Sequence, residues 1–241
     1  MTGRGVEGAR VLVAGATGVL GGLAAAELGD RGALVALAGR NAGRLAEQAA
    51  RLGARPARAM DAYDTDGCAE LAPWARDCLG GLDGVLVAVG VAGFGPAREV
   101  ADAAAEHIFQ VNVLCPAAIL RSAVGCVASS GFLAAVTGAI VDAPMRGTAD
   151  YAAAKTALSC WLGVLAREVR GQGLRVYDLR PAHLDTGFAE RCVTGSPPTL
   201  PPGGDPAVAV RALVDRLSGA EPPHDSLPPL AQGGGGRGDL P

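Results

Sequence analysis

Lysine is almost missing from this 241-residue chain: Lys155 is the only one, and the other 20 basic residues are arginine. Where nearly every cation is written as Arg, a retained Lys points to a task for a compact ammonium that can titrate, which Arg cannot do. A solvated lysine on a helix face is the plainer alternative. Aromatic residues make up only 4%, so Ala, Gly, Val and Leu must fill the core. None of the six cysteines forms a Cys-x-x-Cys, and His107, His183 and His224 lie far apart, which argues against a metal site. The bland reading of the cysteines is free, mostly buried thiols in a reducing compartment. The net charge is −3 with no basic tract, which argues against a nucleic-acid partner. The first ten residues lack an apolar signal core, and no apolar run approaches the ~18 residues that span a bilayer. The expectation is a soluble, cytoplasmic protein with no membrane partner.

What the chain does have is alternation. Apolar runs at 10–14, 34–38, 58–60, 85–89, 132–136 and 174–179 read as strands. Helical stretches fall between them at 41–52, 71–79, 101–127 (bent near Pro116) and 149–170, and a last helix covers 205–217. Crossovers of this kind predict an α/β fold, a doubly wound parallel sheet with helices on both faces, in a single domain over residues 1–218. Ligands of such sheets bind beyond the carboxyl ends of the strands. The proline-rich segment within about 187–204 is either a substrate lid or a plain surface loop. Residues 219–241 are Pro/Gly-rich and read as a disordered tail.

Four groups of residues carry chemistry. Gly15-Ala16-Thr17-Gly18-Val19-Leu20-Gly21 follows the first strand and opens a helix. Such glycines let the backbone turn tightly beside a pyrophosphate, while the helix N-terminus offers N–H groups and positive partial charge. Arg40, at the end of the second strand, stands where a carboxylate would otherwise meet a ribose 2′-hydroxyl. A guanidinium there suits a 2′-phosphate, so NADP(H) is favoured over NAD(H), against the alternative of a solvated Arg at a helix start. Asp61, followed by Ala62, ends the third strand and is read either as an adenine contact or as a turn cap. Tyr151 and Lys155 are separated by four residues and share a helix face. An ammonium beside a phenol lowers its pKa, so Tyr151 could exchange a proton with a carbonyl or alcohol oxygen.

Together these residues resemble the short-chain dehydrogenase/reductase family with its NAD(P)-binding Rossmann-like fold, over about residues 9–217. The resemblance implies a catalytic Tyr151–Lys155 pair, a proton-relay Asn112, and cofactor contacts at Gly15, Thr17, Gly18, Leu20, Gly21, Arg40, Asp61, Ala62, Ala88, Gly90, Pro181 and Thr186. The glycine spacing looks like that of extended or atypical branches. Position relative to these motifs implies a mostly apolar substrate wall of Phe94, Ala143, Met145, His183 and Phe188, suited to a medium-sized hydrophobic carbonyl or alcohol. Three departures stand out. The family's catalytic Ser falls on Gly138, which leaves Thr137 as the substitute for polarising the carbonyl. Its Asn-Ala-Gly reads Ala88-Val89-Gly90. Its C-terminal strand is not recognisable, which favours a dimer over a tetramer. The expected activity is an NADP(H)-dependent carbonyl reductase or alcohol dehydrogenase. The missing Ser motivates a redox-silent NADP-binding sensor or partner-binding protein instead, and the glycine spacing a dehydratase or epimerase.

Overall fold

A computed structural model describes residues 5–219. The strands are β1 (Arg10–Ala14), β2 (Leu34–Gly39), β3 (Ala57–Ala59), β4 (Gly84–Val87), β5 (Phe132–Val136) and β6 (Arg175–Leu179). The helices are α1 (Val19–Asp30), α2 (Ala42–Arg51), α3 (Thr65–Ala69), α4 (Leu71–Leu79), α5 (Asp102–Phe109), α6 (Cys115–Ala123), α7 (Ala149–Glu168) and α8 (Pro206–Leu217). The strands pair in the order β3-β2-β1-β4-β5-β6, all parallel. Among the described residues no seventh strand follows β6. The proposed tail, apart from Gly219, lies outside the described residues.

The strands other than the edge strand β3 are buried on both faces, which explains why they read as largely apolar runs, whereas Ala57 and Ala59 of β3 are exposed. Leu12, Ala14, Val85, Val87, Leu133 and Ala135 face one core with residues of α3, α4, α6 and α7. Their neighbours Val11, Val13, Leu86, Ala134, Tyr177 and Leu179 face the other, with residues of α1, α2 and α8. Strand order reverses between β1 and β4, and at such a point a crevice opens past the carboxyl ends of the strands.

Caps set several helix starts. Asn41 accepts the Arg44 N–H at 2.9 Å, Asp64 accepts that of Gly67, and Asp205 accepts those of Ala207 and Val208 ahead of α8. The predicted bend near Pro116 is a π-helical turn, Gln110–Leu114, between α5 and α6. Proline has no N–H to donate to the carbonyl four residues back, and its ring crowds that carbonyl, here that of Asn112. The helical stretch Asp102–Ala123 reaches, by length and composition alone, what would cross a membrane, contrary to the sequence expectation. Half of it is buried within this fold, where α6 packs against α3, α4, β4 and β5. The thiols also depart from expectation. Only Cys68 and Cys115 are buried, with sulfurs 3.6 Å apart, whereas Cys78 and Cys160 are exposed.

Candidate functional site

The glycine turn occupies the switch point between β1 and β4. Gly15 has φ +88°, and a Cβ there would sit 2.6 Å from the Ala88 carbonyl oxygen, so a side chain is excluded twice over. A Cβ on Gly21 would overlap the Gly15 carbonyl, which lets α1 start directly against the turn. Gly18 precedes α1 with no side-chain cap, and the first turn of α1 contains no acidic residue. Three other helices spend an Asn or Asp on that job. Helices α4, α5, α6 and α7 also begin without a side-chain cap, but only α1 begins at the glycine turn, where first-turn N–H groups, having no partner inside their own helix, can meet an anion. Leu20 is partly buried and packs against the core, so only its backbone faces this turn. Thr17 lies against Gly39, where a Cβ would be 3.0 Å from its hydroxyl, and next to Gly39 stands the exposed Arg40. The glycine turn and Arg40 therefore lie at the carboxyl ends of β1 and β2, and these residues fit a nicotinamide dinucleotide.

At the end of β3 the Asp61 carboxylate accepts the Tyr63 N–H at 3.0 Å, which is the turn-cap reading. The Ala62 carbonyl accepts a bond from Gln110 Nε2 at 2.7 Å, tying this turn to the π-helical segment. Asn112, in that segment, is fully buried. Its Nδ2 donates to the carbonyls of Val91 and Ile108 at 2.9 and 3.0 Å, and its Oδ1 accepts the Val91 N–H at 3.2 Å. The residue expected in a relay thus also clamps the loop after β4 to the helix.

Tyr151 and Lys155 lie on one face of α7. A Cβ on Gly90 would stand 2.9 Å from Asn112 Oδ1 and 3.0 Å from Lys155 Nζ. These three positions converge, and only a glycine leaves room for both polar groups. Lys155 is 4% exposed and donates to the Val136 carbonyl at 3.1 Å. Burial lowers its pKa to about 8, with Asp178 opposing the shift. The Tyr151 ring is packed between Phe94 and Phe188, with ring centroids 6.3 and 6.2 Å away. Burial pushes its phenol up to about 12. The expected lowering of that pKa by Lys155 does not appear, because desolvation is the dominant influence on the phenol.

Thr137 requires the clearest correction. Its hydroxyl is 1% exposed and donates to the Asp178 carboxylate on β6. A hydroxyl committed inside the sheet does not face a carbonyl in the crevice, so Thr137 is not the substitute for the missing Ser. Gly138 adopts φ +96°, a conformation that disfavours any side chain, although a Cβ there would meet nothing closer than the Pro181 carbonyl at 4.0 Å.

The substrate-side residues are only partly assembled. Phe94, Ala92 and Ala189 form a small core with Phe188, Cys192 and Leu200, directly against Tyr151. Met145 and His183 lie outside this cluster: Met145 belongs to a turn closed by Thr148, and the His183 carbonyl accepts the Gly204 N–H. Thr186 Oγ1 accepts the Phe188 N–H at 3.3 Å, and the Pro181 carbonyl accepts that of Ala139. The proline-rich loop is closed at its base by a bridge between Leu184 and Gly204. It is seated on the loop after β4 by bonds from Phe94 N–H to the Thr194 carbonyl and from Val193 N–H to that of Ala92. Sequence reading missed a buried polar cluster. Asp178 accepts bonds from Thr137, from Ser159 at 2.8 Å and from Arg180 at 2.8 Å. Its available signals were an acid inside the apolar run of β6 and a serine four residues after Lys155.

Comparison with known proteins bears on the family and the fold. The family model described as short chain dehydrogenase matches residues 9–195. An uncharacterized oxidoreductase of Mycobacterium tuberculosis, Rv1714, is 31% identical over 206 residues, covering 80% of this chain and 73% of that protein. A dehydrogenase/reductase from Sinorhizobium meliloti 1021 superposes with a TM-score of 0.77 at 25% identity, over 88% of this chain and 89% of the other. A short chain dehydrogenase from Burkholderia cenocepacia J2315, solved in complex with NADP, superposes with a TM-score of 0.78 at 23% identity, over 88% and 91% of the two chains.

Proposed function

The chain belongs to the short-chain dehydrogenase family, and from that premise we propose that it is an NADP(H)-dependent oxidoreductase acting on a C=O/CH–OH pair. The observation that carries this reading is the convergence of Lys155 Nζ and Asn112 Oδ1 at Gly90, on the helix face that also bears Tyr151. A nicotinamide cofactor, which the glycine turn at Gly15–Gly21 would hold, would supply or accept the hydride. In the reductive direction Tyr151 gives its phenolic proton to the carbonyl oxygen as the carbon becomes C–H. Lys155, buried yet able to titrate near neutral pH, returns a proton toward the phenolate and stabilises its charge. Asn112 holds the loop against which both groups sit. Phe94 and Phe188 exclude water from the phenol and favour a hydrophobic substituent on the substrate. Met145 and His183 would border the outer part of the same pocket.

The NADP preference rests on the exposed Arg40 at the end of β2, where Gly39-Arg40-Asn41 contains no carboxylate to meet a ribose 2′-hydroxyl. The NADP bound by the Burkholderia relative is consistent with it. A second reading, a redox-silent NADP binder, is favoured by the missing hydroxyl at Gly138 and the raised phenol of Tyr151.

Purified protein incubated with NADPH and a panel of ketones and aldehydes separates the two. The reductase reading expects loss of nicotinamide absorbance with at least one carbonyl, and a fall in kcat of about 10²-fold or more in Tyr151→Phe. NADPH binding without turnover across the panel would support the silent binder. Arg40→Ala is expected to weaken NADP binding about tenfold and leave NAD binding unchanged. Equal effects on both cofactors would overturn the preference.

A further inference from the structure

Among the described residues, only two of the Asp, Glu, Lys and Arg side chains are buried: Lys155 and Asp178. They approach the same corner of the sheet from different elements. Lys155 reaches down from α7 to the Val136 carbonyl at the end of β5, and Asp178 pairs across the sheet with Ala135, one residue earlier. The Asp178 carboxylate is held from three sides. Thr137 donates to Oδ1, while Ser159 and Arg180 Nε each donate to Oδ2 at 2.8 Å, and Arg180 Nη2 forms an ion pair with Oδ2 at 2.7 Å. Arg180 also donates to the Ser159 hydroxyl at 2.8 Å and pairs with Asp142 beyond it. Ser159 follows Lys155 by four residues and Tyr151 by eight, so all three lie along one stripe of α7. Donors on both oxygens offset the loss of water around a buried carboxylate.

We propose that Asp178 is the positioning residue of the Tyr151–Lys155 pair. Through Ser159 it fixes the stripe of α7 that carries both groups against the sheet, and its negative charge holds the Lys155 ammonium in the protonated state. Thr137 then has a defined task, which is to orient Asp178. Burial alone drives Lys155 toward the neutral amine, and Asp178 is the group that opposes it. The other charged groups of this corner are Arg180, which pairs with both Asp178 and Asp142, and Asp142 itself; the other titratable group is Tyr151. The proposal rests on the reading of Tyr151 and Lys155 as the proton-transfer pair.

The composition provides a direct test. Because Lys155 is the only lysine, full-length protein grown on ¹³C-labelled lysine and carrying a lysine-free tag gives one lysine side-chain resonance. Its titration midpoint in the unaltered protein is expected at about 8. Asp178→Asn is expected to move it lower by on the order of one pH unit. The alkaline limb of the kcat/KM profile should move with it, and Asp178→Glu should restore both in part. If D178N alone deprives Arg180 of its buried partner and the protein unfolds, R180Q is compared with D178N/R180Q, where no guanidinium has lost that partner; the double variant is expected to titrate lower. An unchanged or higher midpoint on loss of Asp178, in either comparison, overturns the proposal. The resonance titrates whether or not the protein turns over a carbonyl. Failure of the reductase reading would show instead as no NADPH consumption beside a normal lysine shift.

Discussion

Lys155 is held at a cost that its own chemistry makes measurable. A lysine that titrates near 10.5 in an unfolded chain and at about 8 in the folded one destabilises the fold by about 3 kcal/mol wherever both states are protonated. The sign follows from proton binding. Between pH 8 and 10.5 the unfolded chain holds the extra proton, so stability rises with pH through that window. Lys155→Met removes the titration and forfeits the bond to the Val136 carbonyl, worth about 1 kcal/mol. The variant is therefore expected to be inactive and, at pH 7, more stable than the unaltered protein. Its advantage should shrink as pH rises from 8 to 10.5, read from denaturant unfolding at a series of pH values. An advantage that stays constant with pH would mean that Lys155 is not buried as a charge. The oddity of composition and the functional expectation thus meet in one residue, since only a titratable cation is worth such a cost.

At the scale of elements, the proline-rich loop acts on Tyr151 through Phe188. Bridged at its base and bonded to the loop after β4, it brings that ring to 6.2 Å from the phenol. Burial is what raises the phenol to about 12, so Phe188→Ala is expected to lower its titration toward the ordinary value near 10 and to raise KM for hydrophobic carbonyls. Phenolate absorbance checks the first, with the same measurement on F188A/Y151F subtracted to remove Tyr63 and Tyr177. No change in midpoint would mean that the loop does not cover the phenol. Elements of this kind differ in how far the sequence shows them. Strands β1, β2, β4 and β5 were legible because each is a short, mainly apolar run, and the shared helix face of Tyr151 and Lys155 because four residues make about one helical turn. The bend before Pro116 was legible because a proline lacks an N–H. The Asp178 cluster was not, because its bonds join residues 19 and 41 positions apart on β5, β6 and α7. No local periodicity records that meeting. Thr137 was misread for the same reason: its neighbour in sequence suggested the crevice, while its partner across the sheet turned the hydroxyl inward.

For the whole molecule, the face formed by α6 and α7 opposite the sheet is the surface we assign to self-association. A groove of about 390 Å³ runs along it, lined by Val124, Trp161, Val164, Leu165 and Val169 and flanked by Arg121 and Glu168. Val164 is 43% exposed, an apolar side chain left at the groove's edge. A two-fold axis would present the same patch on both copies, so an apolar strip carrying one basic and one acidic residue is self-complementary in kind. A stable dimer buries on the order of 1,200–2,000 Å² of surface in total, so the seam would have to extend beyond the groove along both helices. The protein is therefore expected to sediment as a dimer at micromolar concentration. Val164→Glu would place two like charges at the seam and is expected to yield a monomer with the same far-UV spectrum. Because association stabilises only the folded state, the Tm of the unaltered protein should rise with protein concentration and that of V164E should not. Lys155 and Ser159 extend from the opposite side of α7, so a monomer that keeps its NADPH affinity but loses kcat would show that the dimer steadies the helix carrying Tyr151. A V164E protein that still sediments as a dimer would move the interface elsewhere.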